Sequence, residues 1–234
     1  MRLKNNQINT IDDWKKFSPP MGGDVQWIDG RSAKELARYI TATLPNVPSE
    51  IEAVITDFTH CDSEFEWAAE YVTDFASCGL GRGEGRNHDA IMANNDIFVG
   101  IEGKADESLG TQFIGTALKG ASDNKKNRID GMIKMLYGDI PDNHKDLRYQ
   151  LVTASCACLL EAKKRNLNKT MLMVIVFKKD KCYSEKKIAE NDKDISFFLK
   201  HSNAVSCGKY WKIPTEFGRE NGVELYFSEI VIEL

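Results

Sequence analysis

In the stretch HDAIMANNDIFVGIEGK, His88 to Lys104, an aspartate stands near the start of one apolar run and Glu-Gly-Lys closes the next. Side chains alternate along a strand, so Glu102 and Lys104 share a face with Phe98 and Gly100. Asn94, Asn95 and Asp96 between the runs suit the positive φ of a tight hairpin. A two-residue turn at Asn94-Asn95 pairs Asp89 opposite Gly100 and diagonal to Glu102, and one at Asn95-Asp96 pairs Asp89 directly opposite Glu102. Either register brings both carboxylates to one face, whereas a three-residue turn sends Asp89 to the other. Two converging carboxylates repel each other unless a cation lies between them, and a hard divalent ion, Mg²⁺ or Mn²⁺, meets that need. With Lys104 just beyond, the layout suits phosphodiester hydrolysis: the ion polarises the phosphoryl oxygen and acidifies a bound water, and the ammonium orients that water and offsets developing charge. Gly100 and Gly103 leave room for a substrate backbone. A purely structural arrangement uses the same residues, with Lys104 in a buried ion pair to Glu102 or Asp89.

The elements that must position these residues are legible as an α/β order. The first 30 residues, with the breaker cluster SPPMGG, read as an irregular arm. GRSAKELARYITATL reads as a helix, with Ser32 as N-cap, Glu35 at the capping-box spacing and Leu36, Ile40 and Leu44 on one face. Further helices are expected over 49–58, 63–71, 128–137 and 147–165, the last with Leu151, Ala154, Cys158 and Ala162 on its apolar face. YVTDFASC reads as a short strand and GLGRGEGRN as a glycine-rich access loop, since its glycines do not fall into G-x-G-x-x-G and no helix follows. MLMVIVFKK is a fully buried strand, DISFFLKH a helix, and GVELYFSEIVIEL a strand whose apolar parity switches at Ser228-Glu229 in the manner of a bulge. One domain over 1–234 follows, an N-terminal arm and helices over 1–60 leading into a core over 61–234.

The chain has 234 residues, 42% hydrophobic and 28% charged, enough to bury a core. Its longest apolar run is far too short to span a bilayer and its polar start is unlike a signal peptide, so a soluble, cytoplasmic protein with no membrane contact is expected. The six cysteines show no Cys-x-x-Cys pair and the four histidines no zinc spacing, which favours free thiols and argues against a zinc site. Cys156 and Cys158 point to opposite sides of their helix. A net charge of −4 offers no general field for a polyanion. Local clusters depart from that: Lys119, Lys125, Lys126 and Arg128; Lys163, Lys164, Arg165 and Lys169; and Lys178, Lys179, Lys181, Lys186 and Lys187. Each is a solvated surface or part of a nucleic-acid-binding rim.

Asp89, twelve residues and then Glu102-Gly103-Lys104 resembles the signature of the PD-(D/E)XK nuclease superfamily. HDAI, IEGKADESLG and RYQLVTASCACLLEAKKRN resemble, more narrowly, an uncharacterised bacterial family assigned to that fold, whose members carry E-A/G-K-V-D-E-P-F-G and R-Y-Q-L stretches. The resemblance runs from about Arg31 to the end of the chain. It implies a restriction-endonuclease-like core, a central mixed sheet flanked by helices, here with an N-terminal helical extension, and an Mg²⁺-dependent hydrolase acting on nucleic acid, DNA foremost. By it, Asp89 and Glu102 are metal ligands, with the Gly103 backbone, and Lys104 is the catalytic lysine. A glutamate of the first core helix, Glu70 or Glu66, completes the ligand set, and Gln150 in RYQL stands beside the lysine. Lys125, Lys126, Arg128 and Arg148 are the expected phosphate contacts. A homodimer, a partner subunit, or a catalytically inactive module that binds nucleic acid or protein stays open. Ser108-Leu109 departs from the family's Pro-Phe, which touches loop shape more than chemistry. Asp106 and Glu107 suit a helix N-terminus.

Overall fold

A computed structural model describes residues 1–4, 8–20, 22–60, 62–81, 85–139, 143–178 and 185–234. Eight strands run β1 Arg2–Lys4, β2 Glu64–Thr73, β3 Arg86–Ala93, β4 Phe98–Lys104, β5 Lys169–Lys178, β6 Val205–Ser206, β7 Trp211–Ile213 and β8 Glu224–Glu233. The helices are α1 Ile11–Phe17, α2 Ser32–Thr41, α3 Ser49–Ile55, α4 Ile114–Leu118, α5 Asp123–Tyr137, α6 Tyr149–Lys164, α7 Glu185–His201 and α8 Glu216–Asn221. The strands form one mixed sheet in the order β1-β2-β3-β4-β5-β8-β7-β6. β2, β3 and β4 are antiparallel neighbours, and β4, β5 and β8 run parallel. The fold is thus α/β, a mixed central sheet flanked by helices.

Two cores result, one on each side of the sheet. Leu36, Ala37 and Ile40 of α2 and Ile51, Val54 and Ile55 of α3 pack on Val99 and Ile101 of β4 and Met171, Met173 and Ile175 of β5. On the other side α5, α6 and α7 cover Phe98, Leu172, Val174 and Phe227. β5 has helices on both faces, which is why MLMVIVF carries no polar alternation. In α6 every residue from Leu151 to Ala162 is buried, so its face extends all round the helix. Cys156 donates to the Met132 carbonyl on α5 and Cys158 to that of Met171 on β5, both as free thiols turned opposite ways. Cys78 and Cys207 are also free, and Cys61 and Cys182 lie outside the described residues.

Several expectations require correction. Residues 64–73 form the strand β2, not a helix, and only Tyr71–Thr73 of YVTDFASC is strand, as its tail. Phe65, Trp67 and Ala69 point to one core, while the spacing of Phe65, Ala68, Ala69 and Val72 mimics a helical face; pairing with β3 decides for period two. The N-terminal arm is ordered by tertiary contact: β1 adds a parallel edge to β2, and α1, capped by Thr10 with Asp13 in a reciprocal box, stacks Trp14 on Trp67 at 5.4 Å. Ser32 is the first residue of α2 and Arg31 its N-cap, so the expected capping box is absent; Glu35 instead accepts from the Gly30 amide at 2.7 Å. α5 starts at Asp123 under a Ser122 cap, and α7 extends over Glu185–His201. β8 pairs with β5 in unbroken register from Glu224 to Glu233, so there is no bulge at Ser228-Glu229. Ser228 is simply a buried polar residue whose hydroxyl donates to the Lys209 carbonyl at 3.0 Å. Among the described residues no helix is long and apolar enough to cross a membrane.

Candidate active site

The hairpin carries the site. Asn94 N–H donates to the Ile97 carbonyl at 3.1 Å, leaving Asn95-Asp96 as the turn, and Ala90 pairs with Ile101 and Ala93 with Phe98. Continued by one step, this register sets Asp89 across from Glu102, as one of the two expected turns requires. The ladder stops there, because the Gly103 amide donates to Asp89 Oδ2 at 2.8 Å. His88 comes over to the α6 side, its Nδ1 3.1 Å from Glu102 Oε1 and its ring 6.3 Å from that of Phe98. A matching distortion occurs in β2: Glu70, at φ +49°, falls between the paired Ala69 and Tyr71 and opposite Asp89. Tyr71 then turns to α6, where its hydroxyl donates to Glu161 at 3.0 Å. The positive φ costs a non-glycine residue about 1 kcal/mol or more, and such strain concentrates at sites.

These kinks separate the acidic residues into two settings. Asp89, Glu70 and Lys104 line one cavity of about 500 Å³ together with Arg86, Asn87, Glu107 and the start of α2 at Arg31, Ser32 and Ala33. Glu102 stands behind it at 1% exposure, turned to α6. Its Oε2 takes Gln150 Nε2 at 2.8 Å and the Arg86 guanidinium, and its Oε1 takes His88. The simple shared carboxylate face is therefore corrected: His88, not Asp89, lies against Glu102. Gln150 reaches the Glu102 carboxylate, where the RYQL resemblance implies a place beside Lys104. Glu70 joins the cavity from a strand, not from a helix, and Glu66 is exposed. Lys104 is 6% exposed, yet among the described residues its ammonium makes no hydrogen bond or ion pair, so the buried-pair alternative lacks its contact. Gly100 serves the protein and not a substrate: a Cβ there would meet Cys158 Sγ and His88 Cε1 at 2.7 Å.

The electrostatics follow from this layout. Burial, reinforced by the Glu102 charge and offset by Lys104 and Arg86, pushes the Asp89 carboxyl up to about 7. Burial would raise Glu102 too, but Arg86, His88 and Lys104 outweigh it and hold that carboxyl down at about 2. Glu70 is raised, first by burial and then by Glu102, against a hydrogen bond from Asn87. The folded Asp89 thus keeps a proton that the unfolded chain has lost above its ordinary value of 3.8, and the stability this gives at low pH is lost as pH rises through about 7. In EDTA the wild-type urea midpoint is expected to fall from pH 5 to pH 8, and Asp89→Asn to flatten that fall and be the more stable protein at pH 8. Equal slopes in the two proteins would contradict the assignment.

A hard divalent ion fits the donors by their chemistry. Glu70 and Asp89 offer carboxylates on one cavity, and Asn87 on the same wall keeps a buried amide oxygen that has no hydrogen-bond partner among the described residues. Glu102, with three donors on its two oxygens, contributes most readily by exchanging one of them. Among the described residues no three His, Cys, Asp or Glu side chains already converge as a metal group.

The expected phosphate contacts divide. Arg148 is buried and committed: its guanidinium meets Asp194 and Glu190 of α7, donates to the Gly110 carbonyl at 3.0 Å and stacks 4.0 Å from the Phe113 ring centre. It is a clamp, not a phosphate contact. Lys126 is exposed beside Asp123 at 3.6 Å, and Lys125 lies over the Tyr149 ring at 5.8 Å. Arg128 lines a second cavity with Arg86, Tyr149 and Gln150. Lys179 and Lys181 lie outside the described residues. Asp106 and Glu107 head no helix; their loop is tied to α7 by Lys187 on the Asp106 carbonyl at 2.7 Å and Asn191 on that of Glu107 at 2.9 Å.

Sequence reasoning passed over Arg86 and His88, the first as part of a glycine-rich loop and the second for want of zinc spacing. The signal for both was their place just before Asp89 on the hairpin strand, within side-chain reach of Glu102. A cavity of about 810 Å³ near α8 and β7 lies elsewhere, and its charges pair locally, Lys212 with Glu224 and Arg219 with Glu216.

Fold and site define an α/β protein with an acid-and-lysine cavity at the end of a kinked central hairpin. The chain belongs to the family described as a domain of unknown function, DUF6946, whose model matches residues 7–233. No curated protein and no solved structure matches it.

Proposed function

We propose that this protein is a metal-dependent nuclease of the PD-(D/E)XK type, hydrolysing phosphodiester bonds in nucleic acid. The observation that carries the reading is the meeting of Asp89, Glu70 and Lys104 on one cavity, with Glu102 and Gln150 directly behind. The order of α2 and α3, three antiparallel strands, α6 and a parallel β5 supports it, being the helix, sheet and helix arrangement that the resemblance implies. A bound Mg²⁺ or Mn²⁺ supplies Lewis acidity toward a phosphoryl oxygen and a more acidic water. Glu70 and Asp89 would hold it. Lys104 sets an ammonium on the cavity wall, where it offsets the negative charge of the transition state. Asp89, raised toward neutrality, can take up or release a proton in the range where such chemistry runs. Gln150 fixes the Glu102 carboxylate from α6.

A second reading, a nuclease-fold binding module without catalysis, is favoured by the engagement of both Glu102 oxygens with Arg86, His88 and Gln150. Incubation of the purified protein with plasmid, linear and single-stranded DNA and with RNA, in Mg²⁺, Mn²⁺ or EDTA, separates the two. Cleavage lost in EDTA is the expected result; binding without cleavage under every condition selects the module.

Nucleic-acid affinity should reside in the lysines at the start of α5 and fall steeply with salt. Lys125→Glu/Lys126→Glu is expected to weaken binding and to lower the slope of log affinity against log salt by about two phosphate contacts, at unchanged melting temperature. Salt-insensitive binding would remove the lysine rim from the reading.

A further inference from the structure

The second cavity, about 340 Å³, opens on the α6 side of the start of β3. Its walls are Arg86, Arg128, Gln112, Tyr149, Gln150 and Thr153, with backbone from Gly110 to Gln112, and among the described residues no acidic side chain lines it. Lys125 adds a third cation at its edge, over Tyr149. Among the described residues, the buried Arg86 Nε and Gln150 Oε1 on these walls have no hydrogen-bond partner. An orphaned donor and an orphaned acceptor are the features a polar ligand satisfies. Arg86 also lines the first cavity, and its guanidinium pairs with Glu102 behind that cavity. One cation thus stands between the carboxylates and the basic pocket.

We propose that the second cavity is an anion site that takes a phosphate group of the substrate, and that Arg86 couples its occupation to metal loading. An oxyanion there competes with Glu102 for the Arg86 guanidinium, since planar bidentate contact with phosphate is what an arginine does best. Glu102 then regains a lone pair on Oε2 and an uncompensated negative charge beside Asp89 and Glu70, and the divalent ion binds more tightly. Without the anion, Arg86 acts as an internal counter-cation that competes with the metal. By linkage the effect is reciprocal, so the metal tightens the anion by the same factor. The coupling rests on the metal reading of Glu70, Asp89 and Glu102; the anion pocket stands by itself.

Sulfate is the probe, as it leaves Mn²⁺ soluble. Titrated into metal-free protein it is expected to bind saturably, and about tenfold more weakly in Arg128→Gln, the scale of one lost charge contact. Saturating sulfate should tighten Mn²⁺ binding to the wild type by about fivefold or more, the lower end of ordinary coupling. Arg86→Gln should bind Mn²⁺ more tightly than wild type without sulfate and lose the response to it. Gln112→Glu, which puts a carboxylate into the pocket, should exclude sulfate and tighten Mn²⁺ unaided, and it serves if Arg86→Gln does not fold. Sulfate binding equal in wild type and folded Arg128→Gln overturns the anion site. A wild-type Mn²⁺ affinity indifferent to sulfate overturns the coupling. Absence of Mn²⁺ binding in wild type and variants alike overturns the metal reading and the coupling with it, while the sulfate titration still decides the pocket.

Discussion

Lys104→Ala is expected to lower the rate of metal-dependent cleavage by roughly 10² or more while leaving fold, metal affinity and substrate affinity within a few fold, the scale of losing one transition-state charge contact. Single-turnover cleavage beside Mn²⁺ and oligonucleotide titrations reads the two effects separately. The structure sharpens the expectation for stability. The ammonium lines the cavity but makes no hydrogen bond or ion pair among the described residues, so its removal breaks no direct contact, and Arg86 and His88 stay on Glu102. A loss of about 1 kcal/mol, mostly from packing of the aliphatic stem, is expected in urea denaturation. A structural lysine holding buried carboxylates would instead cost about 3 to 5 kcal/mol. Lys104→Arg should not restore the rate, because a planar fork does not set its charge where the ammonium sat. A large drop in melting temperature, with no metal-dependent cleavage by the wild type on any substrate, would falsify the nuclease reading.

The largest effect on stability is expected from Arg148→Ala. That side chain is buried with three partners on two other segments: Glu190 and Asp194 of α7 and the Gly110 carbonyl, with Phe113 beneath it. Removing it leaves Asp194, whose side chain is 10% exposed, as an unpaired carboxylate against the fold. The cost should be about 3 kcal/mol, the low end for breaking a buried pair because Glu190 keeps access to water. Arg148→Lys should recover little, since one ammonium cannot serve partners on three sides of a planar group. Amide exchange would show α7 loosening before the sheet. Nucleic-acid affinity, measured under conditions where the variant stays folded, should not change, and a steep loss there would return Arg148 to the phosphate contacts.

The arrangement also orders the site by cost. Glu102 is the most heavily bonded carboxylate, and its donors sit on β3 and α6. Asp89 and Glu70 carry the opposite burden, with burial and like charge raising both. Arg86 and Lys104 offset this burden, Arg86 by direct contact with Glu102 and Lys104 through space.

Local interactions made part of this readable from the sequence. The Asn95-Asp96 turn, the alternation of Phe98, Gly100, Glu102 and Lys104, and the uninterrupted MLMVIVF strand follow from turn chemistry, the two-residue pleat and burial on both faces. They made the hairpin legible and narrowed its register to a few turns, of which the pairing of β3 with β4 selects Asn95-Asp96. The sequence could not decide residues 64–73, where apolar spacing serves a helix and a strand equally and only pairing with β3 selects. Nor could it show that β2 and β3 kink together at Glu70 and Asp89, because one-residue shifts of face leave no local trace. The partners of Glu102 and Arg148 lie up to 48 residues away in the chain. Which donor reaches a buried carboxylate is settled by packing and desolvation between whole elements, and that is why the residue types were legible while their division between two cavities was left to the tertiary structure.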